Sequence, residues 1–287
     1  MAKKPSPRIY GVLGYPVKHS FSPAMHNAAF SALKINAEYR LFEVKPEELD
    51  DFLNSFSKEN ICGLNVTIPY KEKVIPFLDT LSNEARLIGA VNTIRVSQDR
   101  LEGFNTDGEG FLRHLNEDLT FNAEGKVIAI IGAGGASRAV SVYLSKAKPK
   151  KLAIYDIDKA KTSALAGHLK ENFKGIEFIQ ASSIEELKVQ ESNLLVNATT
   201  MGMKETDTCL VDGNFIHNNL LVYDLIYNPK ETKLLKMAKE KGARISNGLG
   251  MLLYQGMLSF KIWTGKNAPQ EIMRRALQGE LKRCHMQ

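Results

Sequence analysis

The stretch from Lys126 to Val140 constrains this chain more than any other. It reads Lys-Val-Ile-Ala-Ile-Ile-Gly-Ala-Gly-Gly-Ala-Ser-Arg-Ala-Val, an apolar strand that breaks into glycines and resumes as a helix. Gly132 permits a tight turn, Gly134 lets the backbone approach an anion closely, and the new helix aims its unpaired N–H groups at that anion. The pattern reads as a dinucleotide pyrophosphate site. A second strand, Lys-Leu-Ala-Ile-Tyr-Asp-Ile-Asp from Lys151 to Asp158, follows at βαβ spacing. It brings Asp156 about 20 residues beyond the loop, where an acidic side chain hydrogen-bonds the adenosine ribose hydroxyls. That combination points to NAD more than NADP. Ser137 stands where the third glycine of the motif would be, so the loop by itself also fits a glycine-rich turn in some other α/β protein.

A length of 287 residues suits two domains, each with its own core. The net charge of +6 admits nucleic acid or an anionic small molecule as partner. The lysines decide weakly: in Lys230 to Lys241 they alternate with glutamates, as on a solvated helix face, so no nucleic-acid track is expected. Cys62, Cys209 and Cys284 are odd in number and far apart, which suggests neither a disulfide framework nor a metal site, and a reducing, cytoplasmic home. The basic N-terminus Met-Ala-Lys-Lys-Pro-Ser-Pro precedes no long apolar run, and no segment has membrane-spanning length. No targeting signal, membrane partner or metal is expected.

Strands are expected at Arg8 to Leu13, Tyr39 to Val44 and Gly63 to Ile68, the last stopped by Pro69, with helices from Ser22 to about Leu33 and from Glu47 to Phe56. Ser22-Pro23 reads as an N-cap followed by proline at the first helical position. Gly89 to Val96 and Arg100 to Phe104 suit two strands around Gln98-Asp99, and a helix then runs from Glu109 to about Glu117. Further strands at Glu177 to Ile179, Leu194 to Asn197, Leu221 to Leu225 and around Ile245 alternate with helices, which implies a doubly wound, mostly parallel sheet. Helices from Met251 to Phe260 and Pro269 to Lys282 close the chain. The expected organisation is α/β throughout: an N-terminal α/β substrate domain over 1–107, a Rossmann-like nucleotide domain over 108–245, and C-terminal helices over 246–287 returning to the first.

Chemistry-bearing candidates gather at the ends of these elements. Ser20 and Ser22 lie in a turn before a helix, where Ser22 reads most simply as the helix cap and a substrate role for Ser20 needs support from outside the local sequence. Lys71, in Asn65-Val66-Thr67-Ile68-Pro69-Tyr70-Lys71, follows a strand end, the usual place for functional groups in α/β folds, although a surface lysine with a buried stem fits the same letters. Partial desolvation of such a lysine suits it to proton transfer. Asp107, in Asn105-Thr106-Asp107-Gly108, offers either a helix cap or a carboxylate to hold that lysine.

Taken together, Gly14 to Asn27, Asn65 to Lys71, Gly89 to Thr93, Asn105 to Gly108, Gly132 to Arg138, Asn197 to Met203, Asp224 to Pro229 and Asn247 to Gln255 resemble the shikimate dehydrogenase family, in the family's order and over nearly the whole chain. The resemblance implies reversible, nicotinamide-dependent reduction of 3-dehydroshikimate to shikimate, on the route to chorismate and the aromatic amino acids, by a monomer or homodimer. It implies that Ser20 and Ser22 bind the substrate carboxylate, that Thr67, Asn92, Asp107 and Gln255 surround the ring hydroxyls, and that Lys71 and Asp107 are the catalytic pair. Tyr227 would stand at the substrate and cofactor edge. Gly132, Ala133, Gly134, Gly135, Ala136, Ser137, Asp156, Ile157 and Thr199 would hold the dinucleotide, with Gly248 and Met251 near the nicotinamide.

The chain departs from the family at one place. Most NADP-using relatives carry Asn-Arg-Thr where this chain has Asp156-Ile157-Asp158. Losing the guanidinium removes a phosphate clamp and gaining a carboxylate repels the phosphate, so NAD preference is expected, with NADP use left open through Lys159. The same triplet resembles NAD-dependent quinate/shikimate dehydrogenases, which keeps quinate as an alternative substrate; Ser22, where quinate-preferring relatives often carry Thr, favours shikimate.

Overall fold

The computed structural model describes residues 6–55, 60–98 and 100–284. The basic N-terminal pentapeptide, Phe56 at the expected helix end and Asp99 of the expected turn lie outside them. The chain forms two compact units, Met1–Thr106 joined by Leu252–Gln287, and Asp107–Met251. It therefore passes between them at 106/107 and 251/252, against the 107/108 and 245/246 borders read from sequence.

The first unit is built on β1 (Arg8–Gly14), α1 (Ser22–Ala32), β2 (Ala37–Glu43), α2 (Leu49–Asn54), β3 (Ile61–Val66), β4 (Thr80–Leu81), α3 (Asn83–Ile88), β5 (Thr93–Ser97) and β6 (Arg100–Phe104). Its sheet runs β2-β1-β3-β5-β6-β4, with β1 parallel to β2 and β3, and β5 antiparallel to β3 and β6. Successive residues of β1 serve opposite faces, as the pleat requires. Ile9 and Leu13 join Leu49, Leu53, Leu64 and Val74 in one apolar cluster. Tyr10 faces an aromatic cluster with Phe30 and Trp263, 5.3 and 5.2 Å between ring centres. Trp263 belongs to α8 (Leu249–Thr264), and α9 (Gln270–Cys284) packs along α1.

Two elements of this unit escaped the sequence reading. α3 is only six residues long, too short for a helical period to show, yet Ser82 caps it by accepting the Ala85 N–H and Gly89 ends it in the left-handed conformation. β4 is two residues long. Ser22 also corrects an expectation: it is the first helical residue, not the cap. Phe21 flanks the helix without capping it, and it is the Ser20 hydroxyl that accepts the Ser22 N–H, at 3.3 Å. Pro23 brings no N–H to that first turn, so little is left for a cap to satisfy.

In the second unit, α4 (Asp107–Glu117) starts two residues earlier than the sequence pattern suggested. It is followed by β7 (Val127–Ile131), α5 (Gly135–Lys146), β8 (Lys151–Tyr155), α6 (Lys159–Asn172), β9 (Glu177–Gln180), β10 (Leu194–Asn197), β11 (Leu221–Asp224), α7 (Lys233–Glu240) and β12 (Arg244–Ser246). The sheet runs β12-β11-β10-β7-β8-β9 and every pairing is parallel. This is the doubly wound Rossmann order, which reverses between β7 and β10 and opens a crevice at their carboxyl ends. Strands buried on both faces explain the unbroken apolar runs at Val127–Ile131 and Leu194–Val196.

One buried group stands out in the first unit. His26 is fully buried, stacked on Tyr39 at 4.4 Å, and neither ring nitrogen has a hydrogen-bond partner. Burial holds its pKa down at about 3. The unfolded chain takes up this proton near pH 6.5 and the folded one only near 3, so stability falls as pH drops through that window, by about 1.4 kcal/mol per pH unit. Urea unfolding at pH 7 and pH 4.5 is expected to show a smaller loss for His26→Phe, which keeps the ring stack, than for the parent chain. Equal losses would rule out this group as a source of acid sensitivity.

Candidate active site

In the first unit, the loops leaving β1, β2 and β3 converge at the carboxyl ends of these parallel strands. The Val17 N–H donates to Glu43 Oε2 at 3.1 Å, and Lys18 Nζ lies 3.3 Å from the other carboxylate oxygen. The Val17 N–H, then Lys18, hold the Glu43 carboxyl below its ordinary range. The loop carrying Ser20 and Ser22 is thereby fixed against β2. Tyr15 N–H donates to Ile68 O at 3.0 Å and Thr67 N–H to Leu13 O at 2.9 Å, which sets the Thr67 to Lys71 segment beside it. The Lys71 carbonyl in turn accepts the Val91 N–H at 2.7 Å, next to Asn92.

Asn92 is the hub of a buried polar network. Its amide donates to Thr106 Oγ1 at 2.9 Å and to Gln255 Oε1 at 3.3 Å, and its carbonyl oxygen accepts the Thr106 N–H at 2.8 Å. Behind it, Asn65 donates to Ser259 Oγ at 2.9 Å and accepts from the Tyr39 hydroxyl at 2.8 Å, while Thr93 and Ser259 hydroxyls lie 2.7 Å apart. Two of the predicted substrate residues, Asn92 and Gln255, are thus brought together from 163 positions apart. Thr106, Ser259 and Asn65 belong to the same network. The sequence signal for them was a polar residue set among apolar neighbours at a strand or helix position, which Asn65 in Gly-Leu-Asn-Val displays.

In the second unit the glycine loop sits at the crevice between β7 and β10. Gly132 has φ +110°, and a Cβ there would meet the Ala198 carbonyl oxygen at 2.9 Å. Its N–H donates to Tyr155 O at 2.7 Å. Gly134 has an ordinary φ of −79° and open space where a Cβ would stand. The two glycines therefore serve different needs: the first the fold, the second room above the loop. Ser137, buried at the third motif position, donates to Gly132 O at 2.5 Å and closes the turn. Gly135 begins α5, whose first N–H groups have no intrahelical acceptors and suit a phosphate.

Asp156 follows β8 directly. One carboxylate oxygen accepts the Ala133 N–H at 2.7 Å and the other the Asp158 N–H at 2.9 Å, tying the glycine loop to the start of α6. Asp158 caps that helix through the N–H groups of Ala160 and Lys161. Ile157 between them is 89% exposed and offers no cation.

Across the crevice, β10 and β11 end in Asn197 and Asp224, which the sequence reading did not single out. Asp224 is fully buried and accepts from Asn197 Nδ2 at 3.0 Å, the Ile226 N–H at 3.1 Å and Thr232 Oγ1 at 2.7 Å. Burial pushes its pKa up to about 6, the three donors opposing it. Asn197 Oδ1 accepts from the hydroxyl and N–H of Thr199, at 2.7 and 3.1 Å. The predicted cofactor residue Thr199 and the loop before Tyr227 are thus both anchored to one carboxylate. Among the described residues no group of three or more His, Cys, Asp or Glu gathers to hold a metal ion, and no helix is long and apolar enough to cross a membrane.

Residues 12–94 match the family model for the shikimate dehydrogenase substrate binding domain, and residues 248–278 that for the shikimate 5'-dehydrogenase C-terminal domain. A shikimate dehydrogenase (NADP(+)) of Methanopyrus kandleri is 45% identical over 280 residues, covering 96% of each chain. The chain belongs to the shikimate dehydrogenase family. A crystal structure of a family member in complex with NADP+ superimposes with a TM-score of 0.88 at 39% identity, covering 96% of both chains. The shikimate 5-dehydrogenase of Listeria monocytogenes, solved with shikimate and NAD, gives 0.84 at 34% identity over 94% of this chain and 96% of that one. These relatives support a nicotinamide dinucleotide for the family; two are described with NADP+ and one with NAD, so they do not support the expected preference for NAD.

The contrast between the two glycines is measurable. Gly132→Ala is expected to destabilise the fold by about 1–3 kcal/mol, because the new side chain meets a carbonyl at a left-handed φ. Gly134→Ala is expected to leave the melting temperature nearly unchanged and to weaken dinucleotide binding at least tenfold, about 1.4 kcal/mol. Calorimetric melting and dinucleotide titration of both variants check this; equal behaviour of the two would contradict the division.

Proposed function

We propose that the chain is a shikimate dehydrogenase that interconverts 3-dehydroshikimate and shikimate, with NAD preferred over NADP. The observation that carries the activity is the near full-length likeness to enzymes of that name, at 45% identity. The polar ends of β1, β3 and α8 in the first unit, and the glycine loop at the sheet reversal in the second, are the chemistry that such a reaction asks for.

Ser20 and Ser22 offer hydroxyls to the substrate carboxylate. Thr67, Asn92 and Gln255 face the ring hydroxyls, the amides of Asn92 and Gln255 being preset by their mutual bond. The loop Gly132 to Ser137, Asp156 and Thr199 hold the dinucleotide, with Tyr227, Gly248 and Met251 at its reactive end. The nicotinamide, when bound, supplies or accepts a hydride. Lys71 protonates the alkoxide that develops as the carbonyl carbon is reduced, and takes the proton back in the reverse direction; Asp107 orients the ammonium and the neighbouring hydroxyl.

NAD preference rests on Asp156 and Ile157. A carboxylate at the end of β8 accepts hydrogen bonds from free ribose hydroxyls and repels a 2′-phosphate, and an exposed isoleucine cannot clamp one. Turnover of shikimate and quinate with NAD and with NADP, compared as kcat/KM, tests substrate and cofactor together. Shikimate with NAD is expected to lead; a lead by NADP overturns the cofactor reading and a lead by quinate the substrate reading.

Two substitutions test the residue roles. Lys71→Ala should lower kcat by at least 100-fold with substrate KM changed little, as for a group used mainly in the transition state. A loss under tenfold would remove Lys71 from the mechanism. Asp156→Ala should raise the KM for NAD and lower that for NADP; an unchanged ratio between the two would show that the carboxylate does not read the ribose.

A further inference from the structure

We infer that His114 and Tyr223 form a positioning pair that sets the helix beginning at Asp107 against the turn that presents Gly248 and Met251. The inference deepens the functional reading above and rests on it for the roles of those three residues.

The geometry lies wholly within the second unit. Asp107 opens α4, and His114 stands seven residues on, two helical turns later and on the same face. The His114 ring is buried, its Nδ1 is 2.6 Å from the Tyr223 hydroxyl, and its plane meets the tyrosine ring edge-on at 5.5 Å. Phe111, one turn earlier, packs on the same tyrosine at 4.8 Å. His114 Nε2 lies 3.8 Å from a carboxylate oxygen of Asp118, one turn further on, which favours the hydrogen on Nε2 and leaves Nδ1 to accept from the Tyr223 hydroxyl.

The other side of the contact is equally constrained. A Cβ on Gly250 would fall inside the His114 ring, so the first turn of α8 lies flat against the imidazole. A Cβ on Gly248 would fall onto the Leu225 carbonyl, and the Gly248 N–H donates to Ile226 O at 3.1 Å. Leu249 N–H is held by Asn247 Oδ1 at 3.1 Å, and Asn247 donates to Lys230 O at 3.0 Å. Residues 247 to 250 are thus each held by a hydrogen bond or a close contact, and His114, bonded to Tyr223, supplies the contact that leads back to Asp107. A proton-handling carboxylate and a turn beside the reacting ring must keep a fixed spacing, since sub-ångström errors in reacting geometry cost rate more than affinity.

The test is Tyr223→Phe, which keeps the ring and deletes the hydroxyl. It is expected to lower kcat on the order of tenfold while dinucleotide Kd and substrate KM stay within about threefold, and to enlarge the deuterium isotope effect on hydride transfer. His114→Gln, whose amide oxygen can accept from Tyr223, should retain most of the rate, whereas His114→Phe should not. The double variant His114→Phe with Tyr223→Phe should be no worse than the poorer single one. Unchanged kcat and isotope effect in Tyr223→Phe, or additive losses in the double variant, overturn the inference whatever happens to the melting temperature. Amide exchange of residues 248–251 in the NAD-loaded protein gives a readout independent of turnover. It should quicken in Tyr223→Phe, and unchanged exchange overturns the pairing. If the parent chain turns over neither shikimate nor quinate, the functional reading fails by itself, and the exchange result still decides the pairing.

Discussion

Asp224 is a carboxylate with no access to water, and the carboxyl end of the second sheet is organised by the need to satisfy it. An unpaired buried charge costs several kcal/mol, so each of its acceptor positions must meet a donor. The three donors come from three chain segments: Asn197 from the end of β10, Ile226 from the loop leaving β11, and Thr232 from the cap of α7. Moving any one segment leaves the carboxylate short of a partner. Burial still pushes its pKa up to about 6, which says that desolvation outweighs the donors and that the ion is held at a cost. That cost is characteristic of a site where position matters more than stability.

The first unit solves the same problem with neutral groups. Its parallel strands also end in a polar layer, but Asn65, Asn92, Thr93, Thr106, Gln255 and Ser259 pair with one another, with Tyr39 and with backbone, and no ion is buried in the layer. Side-chain amides and hydroxyls donate and accept together, so a closed network fixes amide orientations that a single bond would leave free. Asn92 illustrates the effect: with its carbonyl oxygen on the Thr106 N–H, its amide group must point to Gln255 and Thr106. The two units thus present preset polar groups at strand ends by different means, one by a charge that gathers donors and one by reciprocal pairing.

Sequence exposed the elements whose signal is local and hid those whose logic is distant. The strand, glycines and helix around Gly132 are contiguous, and the structure separates their roles along the lines that turn geometry suggests: positive φ at Gly132, open space at Gly134. Leu194 to Asn197 was legible to the residue because a strand buried on both faces is an apolar run with a polar stop. The Ser22 cap was misread because a serine before proline looks alike whether it flanks the helix or opens it; the hydrogen bond from its own N–H to Ser20 decides the matter. Asn92 with Gln255, and His114 with Tyr223, are separated by 163 and 109 positions, and no periodicity links such pairs. Family resemblance pointed to the first pair and was silent on the second.

The cofactor question shows how far electrostatics at an exposed loop can discriminate. Asp158 is committed to capping α6, with Lys161 Nζ 3.6 Å from its carboxylate. Asp156 is the carboxylate left to act on a 2′-phosphate, and both of its oxygens already accept backbone N–H groups. Two like charges about 4 Å apart repel by roughly 1 kcal/mol in water and about 4 kcal/mol at the effective dielectric of a protein surface. The lower figure is a preference of several-fold, the upper one near exclusion. Which applies depends on how much water the bound dinucleotide displaces from the half-buried Asp156, because exposed Ile157 gives no hydrocarbon cover before the ligand arrives. Adenine stacking on that isoleucine would dry the site and sharpen the discrimination. The proposed preference for NAD would therefore track Ile157 as a desolvating surface as much as Asp156 as a charge, and replacing the carboxylate alone removes repulsion without restoring the cation that a 2′-phosphate requires.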